Sequence, residues 1–176
     1  GLATMLMKII NELKPDYMAA CYDREEETFR KQVYKDYKGT RAKTDDALVA
    51  QMERSREIFA AFHIPVYDYA GFEADDIIGS LSAKYEKQVD VVVVTGDMDE
   101  IQLVRPGTTV FTMRKGFSDT FIYDESAVHD KYGVTPTEFI VYKALKGDTS
   151  DNIPGVVGIG DKTATQLVSE FQTLDN

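Results

Sequence analysis

The residues best equipped for chemistry are carboxylates, and the densest group lies in Gly71-Phe-Glu-Ala-Asp-Asp-Ile-Ile-Gly-Ser80. Glu73, Asp75 and Asp76 crowd together and lead straight into the apolar-periodic Ile77, Ile78 and Leu81. Acids in a first helical turn complement its orphan N–H groups and the macrodipole. Capping needs one or two of them. Three crowded carboxylates repel unless protons or cations intervene, and hard oxygen donors of this kind suit a divalent ion. Taken alone, the segment fits an over-acidic helix start as well as a metal site. Further acids shift the balance: Asp97 and Asp99 follow the run Asp90-Val-Val-Val-Val-Thr95, and Asp148 and Asp151 follow a helical stretch ending Ala144-Leu-Lys-Gly147. Asp23 ends a short apolar run, Tyr17–Tyr22, where it either caps the next turn or joins the site. Sites in α/β proteins gather at the carboxyl ends of strands, so these clusters are expected to meet in one cleft.

The elements that must position them read as follows. Residues 2–13 form a helix with Leu2, Met5, Leu6, Ile9, Ile10 and Leu13 on one face, closed by Pro15. A helix starting at Thr44-Asp45-Asp46 buries Leu48, Met52, Ile58, Phe59 and Phe62, and Pro65–Tyr69 is a short strand. The helix after Gly71 runs to about Glu86, and Asp90–Thr95 has the β-branched content of a central parallel strand. Strand, acidic turn, helix and strand make a βαβ unit with a right-handed crossover. A short helix carries Ile101, Leu103 and Val104. Thr108–Met113 and Asp119–Tyr123 form a hairpin around Lys115-Gly116, and helices follow at about 125–132 and 136–146.

At 176 residues, 43% of them hydrophobic and 11% aromatic, the chain can bury a real core and is not disordered. No apolar run approaches the ~18 residues of a membrane span, and nothing resembles a signal peptide. Lone Cys21 excludes an intramolecular disulfide and reads as a buried structural thiol, in keeping with a cytoplasmic setting. His63, with no partner nearby in sequence, reads as surface or core filler. The net charge of −10 argues against nucleic acid when taken whole. Acids set aside for metals would carry most of that charge, however, and bound cations would reverse it locally.

Two segments run against the global charge. In residues 24–43, Arg24, Arg30, Lys31, Lys35, Lys38, Arg41 and Lys43 face Glu25, Glu26, Glu27 and Asp36, and Phe29, Tyr34 and Tyr37 are interleaved. The segment is either a solvated loop or a basic grip on phosphates with aromatics that stack on bases. Near the end, Gly158 and Gly160 allow a tight turn at a helix start, with Lys162 and Thr163 beside it. Backbone N–H groups in that arrangement bind phosphate oxygens.

Together these motifs resemble the 5′-nuclease family, meaning the flap endonucleases and the 5′→3′ exonuclease domain of bacterial DNA polymerase I. The carriers are Tyr22-Asp23, Thr28-Phe29-Arg30, Tyr37-Lys38-Gly39-Thr40-Arg41, Gly71–Asp76, Thr95–Asp99, Gly147–Gly155 and Gly158–Ala164. The resemblance implies an α/β, PIN-like (Rossmann-like) fold, with a central, mostly parallel sheet flanked by helices. Residues 1–146 would be the catalytic core, and 147–176 would begin a C-terminal helix-turn-helix element that holds duplex DNA. Asp23, Glu73, Asp75 and Asp76 would form or support one divalent-metal site, and Asp97, Asp99, Asp148 and Asp151 the second, for Mg²⁺ or Mn²⁺. Arg30, Lys38 and Arg41 would lie at or near a helical arch. Lys38 and Arg41 would be the catalytic cations that steer and polarise the phosphodiester, and Tyr37 would stack on a base. Gly158, Gly160, Lys162 and Thr163 would touch the duplex backbone, with a K⁺ ion in the 155–164 loop. The substrate would be branched, flapped or nicked DNA with a 5′ end, and RNA primers in that context. The protein would be a cytoplasmic, nucleoid-associated monomer, independent of membranes.

The family opens with a strand carrying a further metal-binding Asp, whereas this chain begins inside the following helix and stops soon after the duplex-binding turn. The expectation is a fragment whose sheet lacks a central strand and whose first metal site lacks one ligand. Two other readings compete. One is a branched-DNA-binding paralogue without metal chemistry, against which the eight downstream acids weigh. The other is a haloacid-dehalogenase-type phosphatase built on Asp97-Met98-Asp99, against which Ile101 weighs, because that family wants a Thr there.

Overall fold

The computed structural model describes residues 1–115 and 119–174. The chain folds as two compact units, residues 1–33 with 42–77 and residues 34–41 with 78–176.

In the first unit, α1 (Leu2–Leu13) buries Leu6 and Ile9 of its apolar stripe. It ends where Lys14 turns left-handed at φ 46° and donates its N–H to the Ile10 carbonyl, just before Pro15. Strands β1 (Ala20–Cys21) and β2 (Val66–Tyr67) pair in parallel. They are joined through the short α2 (Phe29–Val33) and the long α3 (Asp46–Ala61). Asp45 caps α3 by accepting the Ala47 N–H at 2.8 Å. The expected buried face of α3 is only half realised. Ile58 and Phe59 pack on a small core of Leu6, Ala20 and Ile64, while Leu48 and Met52 stay 50% exposed and Phe62 37% exposed. That core spans little more than α1 and two short strands, so it covers only the carboxyl half of the helix. Cys21 is half-buried and His63 exposed.

The second unit holds the larger core, with Ile101, Val110, Tyr123, Val128, Val134, Phe139, Ala164 and Val168 among its members. Helix α4 (Ala74–Tyr85) begins in the first unit and ends in the second. Strands β3 (Val91–Val94), β4 (Thr108–Lys115) and β5 (Asp119–Tyr123) form one sheet in that order, parallel then antiparallel. The hairpin of β4 and β5 is as expected, but its proposed turn at Gly116 lies outside the described residues. The reading of residues 90–95 as a central strand needs correcting. Among the described residues β3 is an edge strand, with Val93 buried and Val92 and Val94 exposed on the other face. The proposed βαβ unit is likewise replaced: β2 and β3 belong to different sheets, and the parallel crossovers are β1 to β2 and β3 to β4.

A capping box formed by Thr135 and Glu138 starts α6 (Pro136–Lys146), which follows α5 (Glu125–Tyr132). The chain then doubles back through β6 (Gly147–Asp148) and β7 (Ile153–Pro154) before α7 (Asp161–Phe171). This reversal depends on two glycines. Gly147 sits at φ 80°, and a Cβ on Gly155 would fall 2.2 Å from the Lys146 carbonyl oxygen.

Candidate nuclease site

The expected site residues form one cluster in each unit. In the first, Asp23 lies just past β1 and its Oδ1 accepts the Ala74 N–H at 2.7 Å, where α4 begins. Asp76 reaches back from the first turn, its Oδ2 accepting the Glu73 N–H at 2.9 Å in the manner of a capping box. Both acids therefore satisfy helix-start donors. Arg30, on α2, forks onto Asp76 through two hydrogen bonds of 2.6 and 2.8 Å, and its Nη1 lies 3.9 Å from Glu73. Glu73 is buried, and Asp75 is exposed in the first turn. The backbone keeps α2 in place: the Phe29 N–H donates to the Gly71 carbonyl at 3.0 Å.

In the second unit two of the acids, Asp99 and Asp148, meet on a residue that sequence reasoning missed. Lys143, in the last turn of α6, donates to Asp99 Oδ1 at 2.7 Å and to Asp148 Oδ2 at 2.6 Å. Asp97 caps the 3₁₀ turn Met98–Leu103 by accepting the Asp99 N–H, which aims Asp99 at the lysine. The other oxygen of Asp148 accepts from the Ser150 hydroxyl at 2.6 Å and the Ser150 N–H at 2.8 Å. One ammonium serves its two carboxylates unequally. Burial pushes the Asp148 carboxyl up, but hydrogen bonds from Lys143 and Ser150 outweigh it and hold that group well below the usual carboxylate range. Burial raises Asp99, and Lys143 only partly offsets it. Burial would lower Lys143 itself, but the two carboxylates hold its ammonium above the ordinary value. The signal available in the sequence was a lysine five residues before Asp148 near a helix end, which reads equally well as a C-terminal helix charge.

The segment from Tyr34 to Arg41 packs on the Asp148–Asn152 turn. Arg41 donates to Asp151 Oδ1 at 2.5 Å and to the Ser150 carbonyl at 3.2 Å. The Tyr37 hydroxyl donates to Asp151 Oδ2 at 3.0 Å, and the Lys38 N–H to the Asp151 carbonyl at 2.9 Å. Tyr37 is buried, with the Lys38 ammonium 5.0 Å from its ring centroid, so in this conformation its face is not open to a base. Further along, Gly158 at φ 84° faces open space in a turn whose neighbour Val157 is fully exposed. Gly160 precedes α7, and Lys162 and Thr163 are exposed in its first turn. Among the described residues, no three His, Cys, Asp or Glu side chains stand preassembled around an ion position. Asp76 is held by Arg30, Asp99 and Asp148 by Lys143, and Asp151 by Arg41, while Asp23 and Asp97 accept backbone N–H groups.

Two sequence-family descriptions together cover the chain. "5'-3' exonuclease, N-terminal resolvase-like domain" matches residues 1–133, and "5'-3' exonuclease, C-terminal SAM fold" matches residues 134–176. The chain belongs to the 5′-3′ exonuclease family. DNA polymerase I of Bacillus caldotenax is 44% identical over 177 residues, covering 100% of this chain and 20% of that protein. DNA polymerase I of Bacillus subtilis is 44% identical over 176 residues, with 99% and 20% coverage. The chain thus spans about a fifth of the length of these relatives. Among solved structures, the bacteriophage T5 flap endonuclease in a pseudo-enzyme-product complex with DNA and metal ions aligns with a TM-score of 0.80 at 22% identity, covering 98% of this chain and 66% of that one. The catalytic core of Rad2 with DNA substrate aligns with a TM-score of 0.59 at 17% identity, covering 98% and 54%. At those identities the likeness establishes the fold, an α/β PIN-like one. Membership in the 5′-3′ exonuclease family leaves no place for the haloacid-dehalogenase reading.

Proposed function

We propose that this chain is a divalent-metal-dependent 5′→3′ exonuclease and 5′-flap endonuclease, hydrolysing phosphodiesters of DNA and of RNA primers during replication and repair. The observation that carries this reading is the seating of Tyr37, Lys38 and Arg41 on the Asp148–Asp151 turn, which joins phosphate-binding cations to a cluster of hard oxygen donors. The donor set suits hard divalent ions such as Mg²⁺ or Mn²⁺, since every member is a carboxylate. Asp23, Glu73, Asp75 and Asp76 would hold or support one ion, and Asp97, Asp99, Asp148 and Asp151 the other. Such ions, when bound, supply a water of lowered pKa and stabilise charge on the leaving oxygen. The chain's own cations do the rest. Arg41 presents a fork suited to two phosphate oxygens, Lys38 adds a point charge beside it, and Arg30 serves the same purpose in the first cluster. Gly158, Gly160, Lys162 and Thr163 hold the duplex backbone within a binding element spanning residues 147–176, with K⁺ in its loop. The protein works as a cytoplasmic, nucleoid-associated monomer on branched, flapped or nicked DNA bearing a 5′ end. No helix of the described residues is long and apolar enough to cross a membrane.

The test is cleavage of an end-labelled 5′-flap duplex in Mg²⁺, with an EDTA control and binding followed in Ca²⁺. Cleavage near the junction that EDTA abolishes is the expected result. Binding without cleavage, by this chain and also by a longer one that adds the family's N-terminal Asp-bearing strand, would move the chain to the branched-DNA-binding reading.

A further inference from the structure

Three aromatic side chains in the first unit remain exposed while touching one another. Phe29 is 41% exposed, Tyr69 65% and Phe72 44%. Phe72 lies 5.7 Å, centroid to centroid, from both Phe29 and Tyr69, with interplanar angles of 56° and 60°. The rings therefore form a tilted cup and not a closed stack, with the Arg30 guanidinium over Phe29 and Tyr69 the most exposed of the three. The backbone fixes this arrangement. The Phe72 N–H closes a turn onto the Tyr69 carbonyl at 3.2 Å, with Gly71 at φ 83° in the third position, the sign a type II turn requires there. The Phe29 N–H is tied to the Gly71 carbonyl at the centre of the same turn.

We propose that Phe29, Tyr69 and Phe72 form a preformed stacking platform for unpaired nucleobases at the 5′ end of the substrate. Three observations favour nucleobases as the occupant. The platform adjoins the first carboxylate cluster through the chain itself, since Phe29 precedes Arg30 and Phe72 precedes Glu73. The Arg30 guanidinium, while forked onto Asp76, also stacks over the Phe29 ring at 4.7 Å, so a cation able to meet a phosphate borders the ring faces. Lys31 follows Arg30 in the sequence, and aromatics interleaved with cations are the general signature of single-strand binding. A turn that holds three touching aromatics in water keeps apolar surface exposed, which marks a contact surface. This inference rests on the nuclease reading for its substrate, but its test can be read separately.

The chain contains no tryptophan, so Phe72→Trp introduces a single reporter into an aromatic position. Its emission is titrated with a 5′-flap duplex whose flap carries bases, and with the same duplex bearing an abasic flap. Quenching by the first and not by the second is expected. Tyr69→Ala, at the most exposed position, should weaken binding of the base-bearing flap by about fivefold or more while leaving abasic-flap binding unchanged. Equal emission changes with both flaps, or equal affinities for both across the variants, would overturn the platform even if the chain cleaves DNA. Base-dependent quenching with no cleavage under any condition would uphold the platform and sink the nuclease reading. Melting curves of each variant confirm that the fold is retained.

Discussion

Replacing Lys143 by methionine separates the two things that Asp99 and Asp148 are asked to do. Methionine keeps the length and apolar stem of lysine and removes only the ammonium. Two charge-assisted hydrogen bonds are lost, each worth about 1.5–3 kcal/mol, and two carboxylates are left facing each other. The lysine side chain is 27% exposed and Asp99 35%, so water recovers much of that loss. A net cost of about 2 kcal/mol follows, or a fall in Tm of roughly 8–16 °C for a unit of about 100 residues. The effect on a divalent ion has the opposite sign. An ammonium about 4 Å from a doubly charged ion repels it by about 2 kcal/mol even at the dielectric constant of water. The variant should therefore bind Mn²⁺ about thirtyfold more tightly in the absence of DNA, and saturating ion should recover most of the lost Tm. Isothermal titration with Mn²⁺ and melting curves with and without the ion measure both. If Lys143→Met bound Mn²⁺ no better than the parent, or melted at the parent's temperature, the picture of Lys143 as a counter-ion occupying the position of a metal would be wrong.

Other consequences can be measured on the isolated chain. Gly155→Ala should destabilise by more than 2 kcal/mol, because a Cβ 2.2 Å from the Lys146 carbonyl cannot be accommodated without opening the β6–β7 pair; urea unfolding reads the loss. Thr135→Ala removes half of the α6 capping box and should cost about 1 kcal/mol, with no change in ion affinity. Acid titration should show the signature of Asp148. Its folded pKa lies below the unfolded value, so its contribution is complete above about pH 4 and drains away as pH falls further. Asp148→Asn should flatten the Tm profile in that range. Asp99 has the opposite sign: burial raises its pKa, so its charge opposes folding at neutral pH, and Asp99→Asn should hold or raise Tm at pH 7 while weakening Mn²⁺ binding.

Much of this was legible in the sequence, and the limits have physical causes. The helix over 2–13 carries an unbroken apolar stripe and a proline stop, and the structure begins and ends it at Leu2 and Leu13. The strand pair 108–113 and 119–123 was visible in its β-branched and aromatic content. Residues 48–62 misled because periodicity reports that a helix is amphipathic, and not how much core exists to cover it. The reading of Asp90–Thr95 as central failed for a related reason: four valines are compatible with burial on two faces but do not require it. Within the candidate site, the acids stood out because their density exceeds what helix caps need. Their partners did not, since Arg30 meets Asp76 across 46 residues and Lys143 meets Asp99 across 44, and neither separation leaves a periodic trace.

Those long-range pairs also resolve the apparent conflict between an acidic chain and the polyanionic substrate proposed for it. A net charge of −10 acts at a distance only to the extent that salt leaves it unscreened, and the Debye length at physiological ionic strength is about 8 Å. Within that range the local balance matters more, and here carboxylate and cation stand in contact: Asp76 with Arg30, Asp99 and Asp148 with Lys143, Asp151 with Arg41. Each pair is a neutralised acid and, equally, a held cation. A divalent ion that takes over the carboxylates releases the arginine or lysine towards phosphate, so the binding of ion and of nucleic acid should be mutually favourable and not competitive. Single-turnover binding of a flap duplex in Ca²⁺ against EDTA tests this directly. Affinity that rises with Ca²⁺ in the parent, and rises less in Arg41→Gln, is the expected result, because the glutamine has no charge to release.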